Sequence, residues 1–516
     1  MMSAADGQKS SPETDPKKPL LINKGSSQDD GVEAVHPQHS CRSLIPMFAL
    51  IIFIIAAVVG VSLLVYLQRR EHQPPPAPPC DDPCLITLVE SIPENLTYEK
   101  HFTKHMSIYE GWMNLLSIAE QDIDIAAYYW TLRGVDGQSD PSDWQGEDIY
   151  AGLLAAGTTR GIKIRIAQSQ PSKSEPSNDT IDLAKAGAAE VRSLNFPRFM
   201  PTHAGILHTK MWVVDGKHFY VGSANLDWRS LTQVKEVGAI IYNCSCLAKD
   251  MTKIFETYWY MGNPKSELPE EWPSSYDTGY NIPAPCTSTI ENNRILSATK
   301  PYRMPVPEHL PFPGTPAPAA NSPPELCPEG RSSDIDTILH VIDSAEKFVS
   351  IAVMDYIPAI EYQYPQSYWS VIDDKLRRVA YDKGIHVRIL ASNWTHTEPQ
   401  MFNFLRSLAE IDGAVKGRIE VKLFTVPAYT EAQKLLEYAR VNHNKYMVTD
   451  NAAYVGTSNW SGDYFVSTGG IGFVVNQTNP DDHSNDGSPT FQQQLQSVFE
   501  RDWNSEHSKP ISSVSQ

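Results

Sequence analysis

Three blocks recur in the same order in the two halves of this chain, and that duplication limits its fold more than any other feature. Ile123-Asp-Ile-Ala-Ala-Tyr-Tyr matches Val349-Ser-Ile-Ala-Val-Met-Asp. Gly161-Ile-Lys-Ile-Arg-Ile matches Gly384-Ile-His-Val-Arg-Ile. His208-Thr-Lys-Met-Trp-Val-Val-Asp matches His443-Asn-Lys-Tyr-Met-Val-Thr-Asp. The offsets drift only from 226 through 223 to 235, so the order and spacing of one half are kept in the other. The first blocks alternate as half-buried strands do, each after a helix-like run. Strands alternating with helical runs imply an α/β fold of two halves with mixed sheets.

The last block carries the chemistry. His208 and Lys210 are two residues apart, as are His443 and Lys445, and alternate residues of a strand face one side. Each half therefore offers one imidazole and one ammonium to a common face. Asp215-Gly216 makes a tight hairpin turn, with Asp450-Asn451 at the equivalent place. The returning strands bring back a hydroxyl (Ser223, Thr457) and an amide (Asn225, Asn459). Phosphodiester cleavage needs a nucleophile, a proton for the leaving oxygen and cations for the phosphoryl oxygens. The histidines supply the first two. Lys210 and Lys445, with Asn225, Asn459, Ser223 and Thr457, are expected to hold the phosphate. No Asp/Glu/His cluster has metal-ligand spacing, so no metal and no other cofactor is expected. Asp215 and Asp450 belong to the catalytic signature, yet at turns they are expected to hold the hairpin rather than touch phosphate. Tyr128, Tyr129, Trp130 and Tyr356 end the first strand of each half, where aromatics stack bases or pack the core.

Residues 44–67 are 24 positions without a charge, long enough to span a bilayer. A polar tail (1–43) precedes this span, and Arg69-Arg70 follow it. The sequons at Asn95, Asn178, Asn243, Asn393, Asn459 and Asn476 all lie after it, as do six of seven cysteines. Both point to a single-pass type II membrane protein with a glycosylated, disulfide-bonded lumenal part. The domain plan is then a Pro-rich stem at 68–98, a first half at 99–275 (motif 203–229), a connection at 276–331 and a second half at 332–508 (motif 438–464). The net charge of −18 excludes a broad basic face for duplex nucleic acid, so an anionic substrate must be held by local cations.

HTKMWVVD with GSANLDWRS, and HNKYMVTD with GTSNWSG, resemble the paired signatures of the phospholipase D superfamily. The tail, span, stem, the Cys80-Asp-Asp-Pro-Cys84 start and the run Leu231-Thr-Gln-Val-Lys-Glu-Val-Gly resemble its endolysosomal type II membrane branch. The resemblance implies a duplicated phospholipase D fold whose halves share one active site. It implies 5′→3′ exonuclease action on single-stranded DNA and RNA through a phosphohistidine, in the acidic lumen of endosomes and lysosomes. A homodimer is implied too. Glu236, 28 residues after His208, stands where family members place a carboxylate against the imidazole. His208 is accordingly assigned as nucleophile and His443 as general acid and base. The resemblance further implies the disulfides Cys80–Cys246 and Cys84–Cys244, leaving Cys286–Cys327. The chain departs from some relatives in lacking a cysteine at Asn393 and another near the C-terminus. Asn459 is both a sequon and a signature residue, so its sequon is expected to stay empty. Two other readings remain open on the motifs: a phospholipase or transphosphatidylase acting on phospholipids such as lysophosphatidylglycerol, and an inactive membrane glycoprotein. Proteolytic release of the lumenal part is also left open.

Overall fold

The computed structural model describes residues 84–98, 102–134, 140–200, 202–279, 302–303, 319–476 and 489–514, with Asp82 and a few positions between 50 and 60. Of the expected span, Leu50, Phe53, Ala56, Ala57, Val59 and Gly60 are described. All are helical and exposed, and the rest of 44–67 lies outside the described residues. Among the described residues, no helix is long and apolar enough to cross a membrane. The chain divides into units Met1–His72 and Gln73–Gln516; the second carries both repeats.

The first repeat runs β1 (Leu85–Ser91), α1 (Ile108–Ile118), β2 (Asp122–Ala127), α2 (Trp144–Thr158), β3 (Lys163–Ser169), β4 (Glu190–Leu194), β5 (Lys210–Val214), β6 (His218–Gly222), β7 (Glu236–Tyr242) and α3 (Ser245–Met261). Its sheet has the order β1-β7-β6-β5-β2-β3-β4, with the short strand Tyr302–Arg303 beyond β1. The second repeat runs β8 (Ala319–Ser322), α4 (Asp334–Ser344), β9 (Phe348–Val353), β10 (His386–Ser392), α5 (Pro399–Ala409), β11 (Arg418–Phe424), β12 (Lys445–Thr449), β13 (Ala452–Gly456), β14 (Gly470–Asn476), α6 (Phe491–Trp503) and β15 (Ser508–Pro510). Its order, β8-β14-β13-β12-β9-β10-β11-β15, repeats the first. In both, the two strands after the central one are parallel to it and the signature hairpin is antiparallel, giving the mixed sheets expected.

Two strands fall where the sequence reading placed connectors. β1 lies within the expected stem and pairs with β7 over its whole length, and β8 lies within the expected connection and pairs with β14. Each is a short apolar or small-residue run beside prolines, which masks a strand signal.

Local rules set the helix starts. Ser107 and Glu110 form a capping box at α1, Thr490 and Gln493 another at α6, and the Ser333 hydroxyl accepts the Asp336 N–H at α4. Three apolar cores result. One lies under α1 and α2, one under α4 and α5, and the third joins the two sheets with α3 and α6. In that shared core Phe219 meets Phe473 edge to face, with centroids 5.4 Å apart. Both faces of each sheet are covered, so β5, β6, β12 and β13 are buried along their whole length.

Candidate active site

Each signature strand begins by pairing with the other repeat. The His208 N–H donates to Gly469 O at 2.7 Å, and the His443 N–H to Lys235 O at 2.9 Å. Leu207 bridges Gly469 and Lys235 bridges Asn442 in parallel. The loop that follows each hairpin thus fixes the histidine of the opposite repeat. Lys210 and Lys445 open β5 and β12 opposite Ala127 and Val353, at the carboxyl ends of the central strands β2 and β9. Both histidines line one cavity of about 540 Å³, within the roughly 300–1,000 Å³ of small-ligand pockets.

The imidazoles have different supports. His208 Nδ1 lies 3.0 Å from Thr457 O. A carbonyl only accepts, so Nδ1 carries the proton and Nε2 keeps its lone pair. His443 Nδ1 lies 2.9 Å from both carboxylate oxygens of Glu236. Glu236 was expected against His208, and this is corrected. β7 brings its carboxylate to the signature strand of the other repeat, not of its own. The register explains the asymmetry: Gly238 faces Gly222 and Gly472 faces Gly456, so the counterpart of Glu236 is Gly470. A Cβ at Gly470 would lie 2.4 Å from Ser458 Oγ and 2.9 Å from Ser322 Oγ. A side chain there would have to displace both hydroxyls, and His208 turns to a backbone carbonyl.

Burial sets the charges. Desolvation holds His208 well below the usual imidazole range, and Lys210, Lys445 and His443 lower it further against the Thr457 carbonyl. Desolvation also lowers His443, but Glu236 opposes the shift. Lys210 is pushed well down by burial and then by Lys445. Lys445 is lowered to about 8 by burial, opposed by Glu236 and Asp355. The ammonium groups donate to the carbonyls of His208 (2.6 Å) and His443 (3.0 Å). Two buried lysines and two imidazoles, opposed by the Glu236 and Asp355 carboxylates, form a site suited to an anion.

Other expected residues are distributed as follows. Asn225 and Asn459 line the cavity, their amides donating to Tyr129 and Tyr464 hydroxyls at 3.3 and 3.1 Å. The burial of Asn459 accords with an empty sequon. Ser223 and Thr457 do not face phosphate: each hydroxyl accepts from and donates to the backbone of the neighbouring strand, at Val237 and Ile471. They brace the hairpins. Asp215 accepts the N–H groups of Glu120, Gln121 and Asp122, and Asp450 those of Glu346, Lys347 and Phe348. Both tie the hairpin to the central strand and lie outside the cavity lining. Tyr128 and Tyr129 line the cavity, whereas Trp130 and Tyr356 are core residues, the latter donating to Asp373. Cys84–Cys244 is formed across 160 residues. Cys246 is disulfide-bonded, and its expected partner Cys80 lies outside the described residues. The bridge expected for Cys327 is not formed: Cys327 is a free thiol facing the carbonyls of Asn321, Pro323 and Ser332. Burial pushes it up to about 12; Cys286 lies outside the described residues. Among the described residues, the group closest to a metal-ligand cluster is Cys84, Cys244 and Cys246, and all three are disulfide-bonded.

Sequence reasoning missed Tyr464, Trp394 and Tyr438, which also line the cavity. Tyr464 meets the His208 ring at 5.0 Å. It stands five residues after Asn459, in a short helical turn like the one that follows Asn225, a parallel that gives its position away.

The model of the PLD3/4, PLD-like domain family matches residues 100–287 and 306–429. The 5'-3' exonuclease PLD3 of Xenopus laevis is 48% identical over 84% of this chain and 83% of its own length. The 5'-3' exonuclease PLD4 of Mus musculus is 41% identical over 83% of this chain and 80% of its own. Among solved structures, phosphatidylserine synthase of Haemophilus influenzae aligns with 79% of this chain and 87% of its own at 12% identity, with a TM-score of 0.48. The duplicated signatures, the reciprocal support of their histidines, the family-model match and the two exonuclease relatives together place the chain in the PLD3/4, PLD-like family of the phospholipase D superfamily.

Proposed function

We propose that this chain is a 5′→3′ exonuclease of single-stranded DNA and RNA, working through a phosphohistidine in an acidic lumen. One observation carries the chemistry: two imidazoles, each tied through Nδ1, line one cavity, and the buried Lys210 and Lys445 ammonium groups sit on the carbonyls of those same histidines. The polarity follows the activity for which the relatives are named. His208, kept neutral by its surroundings, attacks phosphorus through Nε2. The P–N bond forms as the P–O bond to the 5′ oxygen of the shortened strand breaks, and His443 gives its Nε2 proton to that oxygen. Glu236 stabilises the His443 imidazolium before the step. Water then attacks phosphorus, its proton passes to His443, and the P–N bond breaks. The assignment of His208 as nucleophile thus rests on its lack of a carboxylate, the reverse of the sequence argument.

The same reading sets the chain in the secretory pathway, anchored by residues 44–67 and destined for endosomes and lysosomes. Asn95 and Asn243 are exposed, and Asn178, Asn393 and Asn476 partly so, which suits glycosylation. Linear and circularised forms of one single-stranded oligonucleotide, incubated with the lumenal part at about pH 5 in chelator, test the activity. The linear form is expected to shorten from its 5′ end and the circle to persist. Equal loss of both would mean an endonuclease, and loss of all cleavage in chelator would mean a metal enzyme.

A further inference from the structure

The rim of the cavity holds an aromatic stack that the chemistry above does not use. Tyr438 lies parallel to His396, with centroids 5.0 Å apart and planes at 15°, and His396 meets Trp394 at 4.8 Å. Tyr438 and Trp394 both line the cavity. One face of the Tyr438 ring is covered by His396, yet the residue is 57% exposed, so its other face is bare.

This presentation is held at a cost. Tyr438 has φ 56° and Arg440 φ 54°. Bulky residues seldom occupy that left-handed region, and they persist there only where the surroundings over-determine them. The surroundings do so here. The Glu437 carbonyl accepts from Arg229 at 3.0 Å, and Arg440 donates to the carbonyls of Pro427 and Glu94 and to Gln233 Oε1. The segment 437–440, just before His443, is thus clamped by both repeats with one tyrosine ring turned outward. Tyr128 lines the same cavity with its ring 5.4 Å from His208, its hydroxyl donating to Glu175 at 2.6 Å. Aromatic residues therefore run from the reacting histidine to the rim.

The occupant must offer a flat face beside an anionic group. An acyl chain does not suit a rim lined by Glu175, Asp227, Arg133 and Arg229; a nucleobase next to its phosphate does, because every base has a π face. We propose that Tyr438, backed by His396 and Trp394, forms a stacking subsite for the nucleobase flanking the scissile phosphate. The inference rests on the exonuclease reading and adds to it the residues that grip the base.

The test compares first-nucleotide release from 3′-labelled oligonucleotides with a normal or an abasic terminal stretch at the attacked end, at about pH 5. Tyr438→Ala should raise KM on the base-bearing end about tenfold, with kcat changed less than about twofold, and should add nothing on the abasic end. Tyr438→Phe should restore KM. A Tyr438→Ala enzyme impaired by one factor on both ends, or on neither, would overturn the subsite alone. Methyl p-nitrophenyl phosphate reports the catalytic centre separately. If the unaltered protein hydrolyses that ester but shortens neither oligonucleotide, the exonuclease reading falls and takes the subsite with it.

Discussion

His208 and His443 each use Nδ1 for support and keep Nε2 for chemistry; the difference lies in the charge of the supporting atom. A carbonyl oxygen orients His208 without favouring its protonation strongly enough to offset burial and three neighbouring cations. The Glu236 carboxylate raises His443 against the same burial. An enzyme that needs protonated His443 is active below the pKa of that group and loses activity as pH rises through it. Glu236→Gln removes the raising charge, so that loss should move to lower pH, and kcat at about pH 5 should fall roughly a hundredfold. A pH–rate profile checks this; a fall in kcat with an unmoved profile would make Glu236 a packing residue. The sequence disclosed the histidines, lysines and asparagines because strand alternation fixes which side chains share a face. It did not disclose the owner of Glu236, since a pairing between repeats leaves no mark in residue spacing. Tyr438 stayed hidden for a similar reason, as its role depends on a backbone angle.

At the scale of elements, α4 begins with a carboxyl that has no counterpart in the other repeat. Asp334 accepts the Tyr454 hydroxyl at 2.8 Å, and burial pushes it up to about 7. In the unfolded chain it returns to about 3.9. The fold therefore holds a proton that the unfolded chain releases between about pH 4 and 7, and stability falls as pH rises across that window. Asp334→Asn keeps the shape and removes the titration. Its stability relative to the parent should be near zero at about pH 4.5 and grow by roughly 2–4 kcal/mol by about pH 7.5. Urea unfolding at the two pH values measures it, and a difference that ignores pH would show Asp334 ionised in the fold. The central strands and the first signature hairpin were legible because alternation and an Asp-Gly turn are local signals, and Asp215 and Gly216 both take φ 54°; the second hairpin, at Asp450-Asn451, was legible from its match to the first. β1 and β8 were not, since pairing with β7 and β14 rather than their own composition makes them strands.

Across the whole molecule, the repeats are joined by buried charge as well as by apolar packing. Lys235, whose carbonyl holds the His443 N–H, forms a 2.6 Å ion pair with Asp502, and neither side chain reaches solvent. Arg501 binds Asp502 at 3.0 Å and Glu90 of β1 at 2.8 Å. Register closes the ring, since Glu90 lies opposite Val237, next to Glu236. Asp502→Asn strands the Lys235 ammonium and should cost about 3–5 kcal/mol. Adding Lys235→Met should recover much of that, because removing both charges also removes their desolvation penalty. Thermal melting of the two variants decides it; a double variant no more stable than the single would show that the ion pair is not what joins the repeats there.

The single glycine at 470 breaks the symmetry of the duplicated site. Two copies of the first repeat, assembled about the same axis, would set a carboxylate against both histidines; two copies of the second would set one against neither. A symmetric pair gives its two imidazoles identical surroundings, so only a shared proton or the bound substrate distinguishes them. Within one chain a single position can differ between the repeats, and here it gives two chemically identical side chains different supports.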